Sequence, residues 1–258
     1  MIFRVAWQRS VEYRVDFFVH LIRGLIGLMV MLLIFRSVFT QQPNFLGYSF
    51  SSMFTYLIMA RVFHFTGRGN TARDIAQEIK EGQLSVYLLK PISYLRYWLS
   101  VFCADRLFEM IIRFSLIFVF LIFFPGFFSF PPFSTILVLA LFLFLALAFN
   151  YLFNLFMASL AFWVTDIRLF GTFVGLVVGF LGGEVLPLDV LPAGLKNIAF
   201  FLPFQYTLYF PIQIYQEKLP PEQILKGFFF MLAWIGFFCL LVLRLWRKGV
   251  KKYEAIGQ

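Results

Sequence analysis

Residues 71–98, TARDIAQEIKEGQLSVYLLKPISYLRYW, stand between two long apolar stretches yet read as a piece of a water-exposed protein. Ala72, Ile75, Ala76 and Ile79 fall on one helical face, and Arg73, Asp74, Gln77, Glu78, Lys80 and Glu81 on the other. Thr71 followed by Asp74 fits a capping box, and Gly82 is a natural C-terminal stop. A helix of about ten residues is only ~15 Å long and marginal by itself in water. It needs a surface to lie against, and three are open: lipid headgroups, its own chain, or a cytoplasmic partner.

The rest of the chain explains why such a helix stands out. Of 258 residues, 61% are hydrophobic and 14% charged, with a mean hydropathy of +0.85, which identifies an integral membrane protein. A helix crossing the ~30 Å hydrocarbon layer needs about 20 mainly apolar residues. Six stretches approach that test: 17–39, 46–66, 107–124, 134–160, 169–186 and 227–246. No charged residue occurs between Arg113 and Asp166, but FPGFFSFPP at 124–132 breaks that run into two helices with a short turn. Barrel strands would instead show short dyad alternation. The expected fold is therefore an all-α polytopic membrane protein, one domain over 1–258, with six transmembrane helices.

Charge distribution orients it. The net charge is +9, and fourteen basic residues fall before the first span, within 67–98, at Arg168 and in the C-terminal tail, against three (Lys196, Lys218, Lys226) in the opposite loops. This positive-inside bias predicts cytoplasmic termini and a cytoplasmic 67–98 loop, and it accounts for the basicity without nucleic acid. Residues 1–16 carry charges at helical spacing and no small-residue cleavage site, which suits either a retained interfacial helix or a cytosolic amphipathic extension. Cys103 and Cys239 lack metal-ligand spacing.

Three further features stand out. Gly171, Gly175, Gly179 and Gly183 recur every four residues in the fifth stretch, the pattern of a groove for close helix packing within the chain or across a dimer. Beyond it, 187–211 is apolar but broken by Pro187, Pro192, Pro203 and Pro211; the piece from Val190 to Leu202 is about 20 Å long as a helix, too short to cross. A re-entrant hairpin entering from the outer face fits, as does an external loop packed on the helix ends. Among polar residues inside the spans, Arg23, Arg61 and His64 are candidates for a substrate path. Asn150 and Asn154, at i and i+4, read as interhelical glue, and Glu109 with Arg113 as an internal pair.

Catalytic chemistry has little to stand on. There is no GxxxxGK[ST] phosphate loop, no HExxH, no GxSxG elbow and no cysteine cluster, so neither cofactor nor metal is expected.

Taken together, DIAQEIKEGQLSVYLLKPISY at 74–94, LGGEVLPLDVLPAGLKNIAFFLPFQYTLYFP at 181–211 and the amphipathic start resemble the ABC-2 type export permeases over almost the whole chain. One departure is Glu217, which follows PIQIYQ where that family commonly has glycine. The resemblance implies a six-helix permease in the bacterial inner membrane, pairing with a second, identical or related permease and with two copies of a separate ATPase. It makes the helix at 71–82, through Thr71, Asp74, Ile75, Glu78, Ile79, Lys80, Glu81 and Gly82, a coupling helix that docks on that ATPase. A secondary transporter would need acids at mid-depth or inverted repeats, which are scarce here; an accessory or assembly subunit would share the hydropathy. Because the chain lacks a phosphate loop, the purified subunit alone should show no saturable ATP binding at micromolar concentration, measured by equilibrium dialysis with labelled nucleotide.

Overall fold

The computed structural model describes residues 14–41, 44, 45, 47–64, 71–89, 93–123, 126, 130–164 and 167–253. Residues 1–13, which hold most of the expected interfacial helix 1–16, lie outside the described residues, as do 65–70 and 90–92 of the polar loop and the side chain of Arg23. In chain order the elements are α1 (Arg14–Gln41), β1 (Asn44–Phe45), β2 (Tyr48–Ser49), α2 (Phe50–Phe63), α3 (Thr71–Lys80), α4 (Leu84–Leu88), α5 (Tyr94–Phe123), α6 (Phe133–Ser159), α7 (Ile167–Leu181), α8 (Ala193–Phe201), α9 (Tyr209–Tyr215) and α10 (Pro221–Lys252). Short 3-10 turns occupy Leu160–Phe162, Leu188–Val190 and Pro203–Thr207. The fold is all-helical but for the two-residue strands β1 and β2, an antiparallel hairpin turning through Gly47 at φ +84°.

Each of the six apolar stretches overlaps a helix, and among the described residues two helices are long and apolar enough to cross a bilayer: Phe133–Phe162 and Pro221–Lys252. Phe50–Phe63 and Leu169–Leu181 are shorter apolar helices. Large side chains such as Leu33, Phe144, Phe173, Leu176 and Phe229 are exposed along α1, α6, α7 and α10, an outer surface that suits lipid rather than water.

At the centre stands α2. Ser49 caps it in a reciprocal box: the Ser52 amide donates to Ser49 Oγ at 3.2 Å, and the Ser49 amide donates to Ser52 Oγ at 3.0 Å. Ten of its fourteen residues are buried, so it is covered on all sides by protein instead of presenting one apolar stripe. Around it pack α1, α5, α9 and the strand β2, with Phe142, Phe149, Phe210 and Phe238 filling the interior of the bundle.

The chain after α7 folds inward. α7 closes in a paired-hydrogen-bond stop: the Gly183 amide donates to Phe180 O and the Glu184 amide to Gly179 O, with Gly183 at φ +85°. Gly183 therefore lies past the helix and off the face that carries Gly171, Gly175 and Gly179. Pro192 caps α8 and Pro203 opens the following turn, while Pro187 precedes the turn at Leu188–Val190. At Phe204 the chain lies against Phe149 and Phe153 of α6, at centroid distances of 6.3 and 5.5 Å. Those residues are about 24–30 Å along α6 from its start at Phe133. α9 then returns, with Gln213 donating to Tyr48 Oη at 2.6 Å beside the hairpin. Glu217 follows α9 at φ +54°, the one described non-glycine residue with positive φ, a conformation that glycine adopts at lower cost.

Gly249 of α10 lies against the ring of Phe162, so that any Cβ there would overlap it. Gly249→Ala should therefore lower the thermal midpoint in detergent, by overpacking worth about 1–3 kcal/mol. Gly236→Ala, where a Cβ meets nothing within 4 Å, should leave it unchanged or higher. A thermal unfolding series on the two variants checks this.

Candidate functional site: a polar helix seated on the bundle, and a charged cluster beside the central helix

Helix α3 lies on its own chain. Ile75 and Ala76 are fully buried and Ile79 is 4% exposed. They share a cluster with Leu84, with Tyr94, Trp98 and Val101 of α5, Leu155 and Ala158 of α6, and Val242 of α10. This corrects the expectation that Ile75 and Ile79 offer a docking face to a partner: an amphipathic helix turns its apolar side to the nearest apolar surface, and here that surface is the bundle. The residues left outward are Arg73, Gln77 and Glu81, and Gln77 and Gln83 both donate to the Glu81 carboxylate, at 2.6 and 2.8 Å.

The expected cap is also different. Thr71 is the first helical residue, and its buried hydroxyl makes no hydrogen bond, so Thr71 does not serve as the capping side chain. Instead the Ala72 amide donates to Asn154 Oδ1 of α6 at 3.3 Å, while Asn154 Nδ2 donates to Asn150 O and Oδ1 at 2.8 and 2.9 Å. The asparagine pair is thus glue between α6 and α3, with one orphan amide of the first turn satisfied from a distant element. Gly82 stops the helix as expected, at φ +77°.

A second tie is polar and aromatic. Glu78 accepts from Tyr94 Oη at 2.6 Å and from Trp98 Nε1 at 3.3 Å, and Tyr94 stacks on Trp246 of α10 at 5.4 Å. Burial first, then the hydrogen bond to Glu78, push the Tyr94 phenol well above its ordinary range, so it remains a donor at neutral pH. Glu78 therefore points along the bundle surface, whereas Glu81 faces outward. Lys80 and Asp74 are half-buried. In this way α3 meets α5 through Glu78 and packs on α6, α7 and the turn at Leu160–Phe162, and a displacement of α3 must strain them together. α4 follows with Val86 52% exposed, and Leu89 just past its end is 89% exposed.

The second constellation gathers at the end of α2. Arg113 of α5 donates from Nη1 to Arg61 O at 3.1 Å, satisfying a carbonyl of the last turn of α2. His64 Nε2 lies 3.4 Å from Glu184 Oε1, and Glu109 joins Arg106 at 3.0 Å and Arg113 at 3.9 Å. Of the sequence-derived path candidates, Arg61 and His64 are thus brought together, while Arg23 lies outside the described side chains. Glu184 and Arg113 are the additions; sequence position alone gives no reason for a residue past the fifth stretch to meet the end of the second. The glycine row divides. Gly179 is buried and Gly171 and Gly175 half-buried, and a Cβ at Gly171 would meet nothing. Gly183 touches α2 directly, its carbonyl accepting from Tyr56 Oη at 2.6 Å.

Over residues 25–257 the sequence matches the family described as ABC-2 family transporter protein, and the chain belongs to that family. It is a permease of an ABC transporter, a class of membrane subunit that generally works with ATPase partners. No curated protein sequence matches it significantly.

The inward position of Ile75 gives a direct test. Ile75→Arg would bury an unpaired charge and should strongly reduce the monodisperse fraction of detergent-extracted protein, whereas Gln77→Arg on the outward face should leave it at the wild-type level. Size-exclusion profiles at matched expression check this.

Proposed function

We propose that this chain is the permease subunit of an ATP-driven exporter in the bacterial inner membrane, with α3 and α4 as the unit that receives the motion of a separate ATPase. The observation that carries the reading is the seating of α3: its inner side is held by α5, α6 and α7, while Gln77 and Glu81 on its outer side, Val86 of α4 and Leu89 just past α4 are exposed. A lever needs both properties, a firm hold on the moving bundle and a free face for the motor. Differential contacts of the ATPase with that face in its open and closed states would then bias two arrangements of the helices.

In the same reading all six apolar helices cross the membrane, both termini are cytoplasmic, and 187–211 is a re-entrant segment dipping from the outer face. The inward course of the chain to Phe204 supports the last of these. The working assembly contains two ATPase copies and a second permease, identical or related. The half-buried glycines Gly171 and Gly175 on the exposed helix α7 offer that second permease a close approach. Arg61 and His64 line the substrate path.

The experiment is copurification of the partner ATPase with outward-face variants. Leu89→Asp and Val86→Asp should reach wild-type membrane levels and lose ATPase association at least tenfold, since each replaces an exposed apolar contact by a charge. Retention of full association by both variants would refute the docking role of α4. Arg73→Glu should weaken association more mildly.

A further inference from the structure

Arg61 is the half-buried arginine of α2 whose guanidinium makes no hydrogen bond and no ion pair among the described residues. The other ionised groups around it have fixed duties. Arg113 holds the Arg61 carbonyl and shares Glu109 with Arg106, and Glu184 meets His64. Arg61 Nη2 lies instead against Gly27 of α1, 3.8 Å from where a Cβ would stand. The cluster is also partly open: His64, Glu184 and Arg113 are each about one-fifth exposed, while Nδ1 of His64 and Nε of Arg113 are shielded and make no hydrogen bond.

Depth makes this unusual. α2 has fourteen residues, about 21 Å of helix, against the ~30 Å of the hydrocarbon layer. With its start at the outer hairpin, its end at Arg61 to His64 lies within the apolar layer. An arginine held there without a carboxylate is costly and marks a functional position. We propose that Arg61, with Arg113 and His64, binds the anionic phosphate head group of an amphiphilic ligand, whose charge supplies the missing partner while its tail lies along the exposed apolar surface of α1. Guanidinium groups suit a phosphate because their planar donors can pair with two oxygens. The capping role of Arg113 explains one of its donors and leaves Arg61 unexplained. The depth argument rests on the permease reading above.

The test uses the full chain in non-ionic detergent with radiolabelled phosphatidylglycerol, phosphatidylcholine as the zwitterionic comparison, and dodecyl phosphate and inorganic phosphate as competitors. Wild type should bind phosphatidylglycerol saturably and phosphatidylcholine at least tenfold more weakly, and dodecyl phosphate should displace the lipid while millimolar inorganic phosphate does not. Arg61→Gln should weaken binding at least tenfold and Arg61→Lys should restore most of it, both with wild-type size-exclusion profiles. Should Arg61→Gln misfold, His64→Ala serves as the second variant and should weaken binding by several-fold. Equal binding of the two lipids, or wild-type binding by a folded Arg61→Gln or His64→Ala, overturns the proposal, and displacement by inorganic phosphate overturns its amphiphilic part. The assay contains no ATPase, so a failed copurification with intact lipid binding would remove the permease assignment and not the site.

Discussion

Away from water, every backbone N–H and C=O must find a partner, and several helix ends of this chain are buried against other elements. Side chains and backbone from distant elements meet that demand. Asn154 takes the Ala72 amide at the start of α3, Arg113 holds the Arg61 carbonyl at the end of α2, and Tyr56 donates to the Gly183 carbonyl just past α7, while the Tyr209 amide donates to Gly182 O at 3.1 Å. Each of these bonds joins elements far apart in sequence. The helix termini are therefore also the joints of the bundle, and a change at one end is felt by its neighbour.

That constraint links architecture to transport. α3 is too short to stand alone, so its position is set by contacts with α5, α6 and α7. The apolar seat of Ile75 and Ile79 supplies most of the attachment energy, on the scale of about 1.5–3 kcal/mol for each fully buried side chain. Polar ties through Asn154 and Glu78 add direction, because a hydrogen bond constrains angle where apolar contact does not.

Beside the β1–β2 hairpin a comparable arrangement holds the segment that follows α7. Asp189 accepts from Tyr48 at 2.9 Å and from Tyr209 at 2.7 Å, with Lys196 Nζ at 3.7 Å, so hairpin, turn, α8 and α9 meet on one carboxylate. Lys218 lies over the Tyr48 ring at 3.4 Å to its centroid. Proline and glycine punctuate the segment, but this polar centre decides how its pieces sit together.

The sequence by itself determined the apolar stretches, the turns at proline and glycine, the stop at Gly82 and the amphipathic periodicity of α3, because hydropathy, spacing and backbone restriction are local properties. Its motifs also pointed to the ABC-2 family, which the match over 25–257 establishes. Which surface met the apolar face of α3 was not local: Ile75 and Ile79 fit lipid, partner or bundle equally in sequence, and only packing chose the bundle. The same holds for Asn154 in place of Thr71 as the source of a cap, for Gly183 as a helix stop instead of a member of a packing row, and for the meeting of Arg61, His64, Arg113 and Glu184. A pattern of residues fixes which side of a helix is apolar, but the partner for that side, and for each buried charge or amide, is set by contacts across scores of residues that only the tertiary fold brings together.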